Sequence, residues 1–180
     1  MRRRAGTALP RLPRRSWQAL LVTVLLLALA ALQHWRPSWF SPPHELAPGT
    51  YRVERVVDGD TFIIASPRER VRLIGADAPE TVKPNWPVEP WGPEASQFSK
   101  HFLAGGKVHL EFDDRLRDKY GRLLAYVWVG KHMLNEELIH AGLARFEPQY
   151  HYSAAMKARF RRAQAEARAA RRGIWSGRHP

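Results

Sequence analysis

The spacing of apolar residues divides this chain into a leader, a linker and a patterned body. From Ala19 to Leu32 the sequence is apolar except for Thr23, which predicts a hydrophobic helix. Arg36-Pro37 ends it, because proline cannot continue the hydrogen-bond ladder. Residues 37–50, with Pro37, Pro42, Pro43 and Pro48, carry no periodicity and read as a stiff linker. A β-rich stretch, Tyr51 to Val57, then ends at the turn signal Asp58-Gly59. Thr61 to Ala65 and Arg70 to Gly75 read as the next strands, joined near Ser66-Pro67. After a proline-rich segment from Ala78 to Pro93, Ala95, Phe98 and Phe102 share one helical face over Glu94 to Leu103. Gly105-Gly106 breaks that helix, and Lys107 to Phe112 puts Val108, Leu110 and Phe112 on one side of a strand. Leu123 to Val129 is the last strand. Helices are predicted over Leu134 to Ala141, stopped by Gly142, and over Ala154 to Arg172, stopped by Gly173.

Five strands with a helix between the third and fourth, then helices at the end, predict an α+β, mainly β architecture. It is a five-stranded OB-fold barrel with about three helices, preceded by one N-terminal hydrophobic helix. The organisation expected is a leader over residues 1–36, a linker over 37–50, a barrel domain over 51–176 and a tail over 177–180. Hydrophobic residues at 44% and charged residues at 26% fit a folded domain, not a disordered chain. With no cysteine, disulfides, thiolate metal ligands and a catalytic thiol are all excluded. The eight histidines show no HExxH-like spacing and read as surface or packing residues.

Charge changes the picture mainly at the N-terminus. Arg2, Arg3, Arg4, Arg11, Arg14 and Arg15 precede the apolar run, and Trp17 and Trp35 flank it. Those tryptophans are separated by about 27 Å of helix, at roughly 1.5 Å per residue, close to a hydrocarbon core of about 30 Å. An uncleaved signal-anchor is therefore favoured over a signal peptide cleaved at Ala28-Leu29-Ala30, which lies inside the run. The expected location is a bacterial-type cell envelope, with the domain exported and anchored in the inner membrane; the alternative is secretion after cleavage. The formal net charge of +12 includes six leader arginines, so the rest carries 23 basic residues against 17 acids. Ser153 to Arg172 alone has seven basic residues and one acid, Glu166, which reads first as a solvated face and second as an aid to polyanion capture.

The chemistry-bearing residues gather at predicted strand ends and turns. They are Asp58-Gly59-Asp60-Thr61, Arg72 to Glu80, and Asp118-Lys119-Tyr120-Gly121-Arg122. Arg72 stands in an otherwise apolar strand, where an unpaired charge is expensive to bury. Carboxylates and backbone carbonyls favour Ca²⁺ or Mg²⁺ over zinc. Arginines offer planar bidentate donors to phosphate. A hard cation, arginines and a spare carboxylate make a set suited to phosphodiester hydrolysis. Asp58 supports such a site or caps its own turn, and Asp113-Asp114 reads as a solvated loop edge. Trp86 and Trp91 either stack on a base or close a loop over the core.

These segments resemble the staphylococcal nuclease family. The resemblance is carried by VVDGDT at 56–61, VRLIGADAPE at 71–80, WGPEASQF at 91–98, DKYGRLLAYV at 118–127, LNEELIHAGLA at 134–144 and GIW at 173–175. It is collinear from about Tyr51 through Trp175. It implies a five-stranded OB barrel that cleaves DNA and RNA, single strands favoured, with Ca²⁺ as cofactor and products ending in 3′-phosphate. By the same resemblance Asp60 and Asp77 ligate calcium through carboxylates and Ala78 through its carbonyl. Arg72 and Arg122 would hold the scissile phosphate, Glu80 would be general base or water-orienting acid, and Lys119 and Tyr120 would contact the nucleotide. Ala78 stands where the familiar nuclease has threonine, and Arg145 to Pro148 departs from its pattern, leaving Tyr150 as the candidate for base stacking. A monomer is expected. The alternative function is a catalytically silent OB module that binds single-stranded nucleic acid or a protein partner at the membrane.

Overall fold

The computed structural model describes residues 46–82 and 87–177, together with residues 23–25 and 27 of the leader. Those four are helical, as the apolar run predicts. The remainder of the leader, residues 37–45 of the linker, residues 83–86 with Trp86 among them, and the last three residues lie outside the described residues. Among those described, no helix is long and apolar enough to cross a membrane. The chain divides into two compact units after Leu46, and the second of them carries the barrel.

Five strands close that barrel. They are β1 (Gly49–Asp58), β2 (Thr61–Ala65), β3 (Arg68–Leu73), β5 (Lys107–Glu111) and β6 (Leu123–Val129); β4 (Ala76–Asp77) lies between β3 and β5 in sequence. The order is β3-β2-β1-β5-β6, antiparallel at every step, and a parallel pairing of β3 with β6 closes the ring. Inward positions supply the core, with Phe62, Ile64, Val71, Leu73, Val108, Leu110, Leu123, Ala125 and Val127 all buried. Phe62 to Ile64 are buried consecutively, so β2 has no solvent face to alternate against.

Three helices cover the barrel: α1 (Gly92–Phe102), α2 (Leu134–His140) and α3 (Ala154–Ala169). Pro93 sits in the first turn of α1, with Glu94 beside it and Lys100 and His101 in the last turn, an arrangement that suits the helix dipole. Gly142, at φ 72°, ends α2 as expected. A β-carbon there would lie 2.3 Å from the Arg172 carbonyl oxygen. Phe160, Ala163 and Ala167 form the buried stripe of α3. That helix stops three residues before the predicted Arg172, because Arg171 turns left-handed at φ 50° and the Arg172 N–H bonds back to Ala167. Three two-residue strands were too short to leave a period in the sequence: β4, β7 (His132–Met133) and β8 (Arg145–Phe146). β8 pairs with β4 and sets Arg145 opposite Asp77.

Candidate active site

One rim of the barrel collects the β1–β2 hairpin, the end of β3, β4 and the loop from β5 to β6. Thr61 and Arg72 are direct cross-strand partners, and the Leu73 N–H bonds the Asp60 carbonyl at 3.0 Å, so hairpin and strand end are fixed together. The hairpin also meets α1, where Ser99 Oγ donates to the Gly59 carbonyl at 2.5 Å. A side chain at residue 59 would drive into the β-carbons of Ala78 and Ala95, at 2.6 and 2.7 Å. Glycine is required there because the hairpin is wedged between α1 and the segment after β4.

Asp60 is 2% exposed, yet its carboxylate is fully engaged. Thr61 Oγ1 donates to its Oδ1 at 2.9 Å, the Ala78 N–H donates to its Oδ2 at 2.7 Å, and Arg72 pairs with it directly. The other terminal nitrogen of Arg72 donates to Asp77 Oδ1 at 2.6 Å and stands 3.8 Å from Glu147 Oε2. One guanidinium thus spans Asp60 and Asp77, and the charge predicted on an apolar strand is paired. Burial alone would lower the Arg72 pKa, but the charges of Asp60, Asp77 and Glu147 outweigh it and hold it above its ordinary value. Asp58 accepts the Asp60 N–H at 3.2 Å, so it does cap its own turn. Burial, followed by the charge of Asp60, pushes the Asp58 carboxyl well above the usual carboxylate range.

Arg122 stands between two depressions. A cleft of about 280 Å³ on one side is lined by Arg72, Asp77, Lys119, Tyr120, Glu147 and Tyr150 among others. A groove on the other side is lined by Asp58, Thr61 and Glu80, and Arg122 borders both. Asp118 Oδ2 accepts the Arg122 Nε–H at 2.6 Å, while its Oδ1 accepts the backbone N–H groups of Tyr120 and Arg122 at 2.9 and 3.0 Å. Burial raises the Asp118 pKa, but those donors win and the net direction is downward. Lys119 and Arg122 both approach the Tyr120 ring, at 5.0 and 5.5 Å, and that ring is 72% exposed. Glu80 faces the groove and not the cleft, and its Oε1 accepts the N–H groups of Thr81 and Val82 at 3.0 and 2.9 Å.

The donor set fits a hard cation. Asp60 and Asp77 are oxygen donors close enough to share one guanidinium, the Ala78 backbone is bonded to the first, and no thiolate competes. The set does not go beyond two carboxylates: among the described residues, no three acids or histidines converge on one point.

Sequence reasoning missed several residues here. Asp113 is not a solvated loop edge: its Oδ2 accepts the Tyr126 hydroxyl at 2.5 Å and the Ser153 N–H at 2.9 Å, tying the β5–β6 loop to the start of α3. No local pattern signals bonds across that separation. Asp118 stands among the chemistry-bearing residues without a role, and its position four residues before Arg122 could have shown its ion pair. Glu147 falls in the stretch that departs from the family pattern. Tyr150 lines the cleft and is 54% exposed, whereas Trp91 caps α1 at φ 72° and lines a different depression. The arginines of α3 are less free than a solvated face implies, since Arg159 pairs with Glu136 and Arg168 lies over Trp175.

The family description "Staphylococcal nuclease homologue" matches residues 70–177. The chain is 49% identical over 132 residues to the thermonuclease of Staphylococcus hyicus, covering 71% of this chain and 76% of that protein. It is 49% identical over 131 residues to the thermonuclease of Staphylococcus intermedius, with 70% and 76% covered. Endonuclease YncB of Bacillus subtilis is 43% identical over 128 residues, covering 69% of this chain and 60% of that protein. Closed barrel, rim constellation and matched length agree, and the chain belongs to the staphylococcal nuclease family.

Proposed function

We propose that this chain is a Ca²⁺-dependent endonuclease that hydrolyses DNA and RNA to products ending in 3′-phosphate. The observation that carries the reading is the rim itself: Arg72 bridging Asp60 and Asp77, with Arg122 between that pair and Glu80. The names of the thermonuclease and endonuclease relatives support it.

Asp60, Asp77 and the Ala78 carbonyl would hold Ca²⁺, which when bound polarises a phosphoryl oxygen. Arg72 and Arg122 donate to the phosphate and stabilise the charge that develops on its oxygens. Arg122 is bound to Asp118 through Nε, which leaves its terminal nitrogens for that task. Glu80 orients the attacking water or takes its proton, held in place by the Thr81 and Val82 N–H groups. Lys119 and Tyr120 hold the nucleotide, and the exposed ring favours single strands, whose bases are open to stacking. The leader anchors this domain on the exported face of the membrane, a reading supported by the run Ala19–Leu32 between Trp17 and Trp35.

The test is digestion of single-stranded DNA by the full chain in detergent, with Ca²⁺ and with EGTA, beside Asp60→Ala. Cutting that needs Ca²⁺ and disappears in the variant is expected. A folded chain that binds DNA without cutting it under either condition would instead make this a silent binding module.

A further inference from the structure

Most arginines with side-chain partners in this domain meet a carboxylate: Arg68, Arg72, Arg117, Arg122 and Arg159 each have an acid within ion-pair distance. Arg145 and Arg168 do not, among the described residues. Both guanidiniums instead lie over one ring, that of Trp175, at 5.1 and 4.2 Å from its centre. The single acid of the basic α3 stretch, Glu166, faces His140 at 3.3 Å. Both arginines are exposed and Trp175 is half-buried, so the ring serves as a fixed platform for two solvent-exposed cations. The backbone around it is held as well, by Trp175 N–H to the Arg172 carbonyl at 2.9 Å.

The platform adjoins the active site. Arg145 is the β8 residue paired with Asp77. A depression of about 350 Å³ runs from Asp77 and Ala78 past Pro79 and Trp91 to Arg145 and Ile174. Its other acid, Glu89, accepts the Glu80 N–H at 3.2 Å. A strand leaving the rim at Asp77 thus has a path that leads to Arg145, whose guanidinium shares the Trp175 ring with Arg168.

From this geometry we infer that Arg145 and Arg168, laid on Trp175, form a second phosphate-binding track for the polynucleotide beyond the scissile bond. It rests on the nucleic-acid reading of the adjoining rim. A guanidinium stacked on indole keeps its in-plane N–H groups for a phosphate and has already lost much of its rotamer freedom. With no acid to displace, a backbone phosphate binds without breaking an ion pair.

The experiment compares wild type with Arg145→Gln/Arg168→Gln, which removes both charges and leaves planar amides against the ring. Binding of a labelled single-stranded oligonucleotide is followed by anisotropy in EGTA across a salt series. Affinity at low salt should fall about tenfold, and the slope of log K against log salt should shrink by about 1.4, at roughly 0.7 per lost contact. In Ca²⁺, the ratio of kcat/KM on the oligonucleotide to that on a dinucleotide should fall by a similar factor. Unchanged affinity and slope in a variant with wild-type circular dichroism overturns the track. If the double variant does not fold, Arg145→Gln alone should give half the change in slope, and no change overturns it equally. A loss of binding to phosphatidylglycerol vesicles with DNA affinity intact would assign the platform to a membrane and overturn the track. A wild-type chain that binds DNA through these arginines yet cuts nothing supports the track and sinks the nuclease reading.

Discussion

Asp118→Asn tests whether Arg122 acts from a fixed position. The wild-type carboxylate has divided duties: Oδ1 receives the Tyr120 and Arg122 N–H groups and shapes the turn, while Oδ2 holds Arg122 Nε at 2.6 Å. Asparagine keeps the Oδ1 acceptor but sets an amide N–H₂ against Nε–H, so the turn survives and the guanidinium is released. A hydrogen bond to a charged group contributes about 1.5–3 kcal/mol. At about 1.36 kcal/mol per decade, this corresponds to roughly 10- to 100-fold fewer guanidiniums in the productive pose. Both side chains are partly open to solvent, at 16% and 24%, which screens the bond. A fall of about 10- to 30-fold in kcat on single-stranded DNA is therefore expected, with KM changing much less, because the lost contact acts in the transition state. Thermal unfolding by circular dichroism separates this from damage to the fold. Wild-type kcat in a folded Asp118→Asn chain would refute the positioning argument, as would a drop in activity that only tracks unfolding.

Glu80→Ala and Arg122→Ala should each lower turnover by at least about a hundredfold, read as kcat on single-stranded DNA; near-normal rates in purified variants would remove the assigned roles. Asn135→Ala should cost about 2–5 kcal/mol in urea unfolding, since it strands the buried Val127 N–H and the Ile74 carbonyl, and a cost under about 1 kcal/mol would mean water replaces the amide. Asp113 has its pKa net lowered: burial raises it, but the Tyr126, Ser153 and Asp114 donors prevail. Its contribution is therefore present above the unfolded-state value and lost as pH falls through the folded one. The stability gap between wild type and Asp113→Asn should narrow from about pH 5 to about pH 2, and a gap independent of pH would contradict this.

How far the site was legible depended on the range of the interactions that make it. β2 and β6 were readable to the residue because their apolar runs are uninterrupted between turn signals. The end of α3 was not, because Arg171 adopts a left-handed turn that arginine does not advertise and the glycine two residues later does. Asp60, Arg72, Asp77 and Arg122 could be suspected singly from charge in turns and strands, and their grouping on one rim follows from the OB arrangement. Which carboxylate serves which arginine could not be read. Arg72 is shared among Asp60, Asp77 and Glu147, which lie 12, 5 and 75 positions away, and the last of these contacts exists only because β8 is drawn back onto β4. Glu80 was equally invisible as a resident of the groove opposite the cleft, since that depends on how the segment after Asp77 folds against α1.

The balance of charge in the cleft constrains how a polyanion can enter it. Arg72, Arg115, Lys119 and Arg122 line the walls, but so do Asp77, Asp113, Asp118 and Glu147, and the two sets cancel. Arg72 and Arg122 are moreover already bonded to acids. A cleft of this kind has the geometry to grip a phosphate but little net field to attract one, so the attraction must be supplied from outside its own side chains. Two sources fit the molecule. A divalent cation held by Asp60 and Asp77 would tip the balance locally, and the arginines on Trp175, which meet no acid among the described residues, act at a distance. The first acts on the scissile phosphate and the second on its neighbours. Removing the cation should therefore abolish cutting while leaving salt-dependent binding of long strands largely in place. Neutralising Arg145 and Arg168 should do the reverse, weakening capture of long strands more than chemistry on short ones.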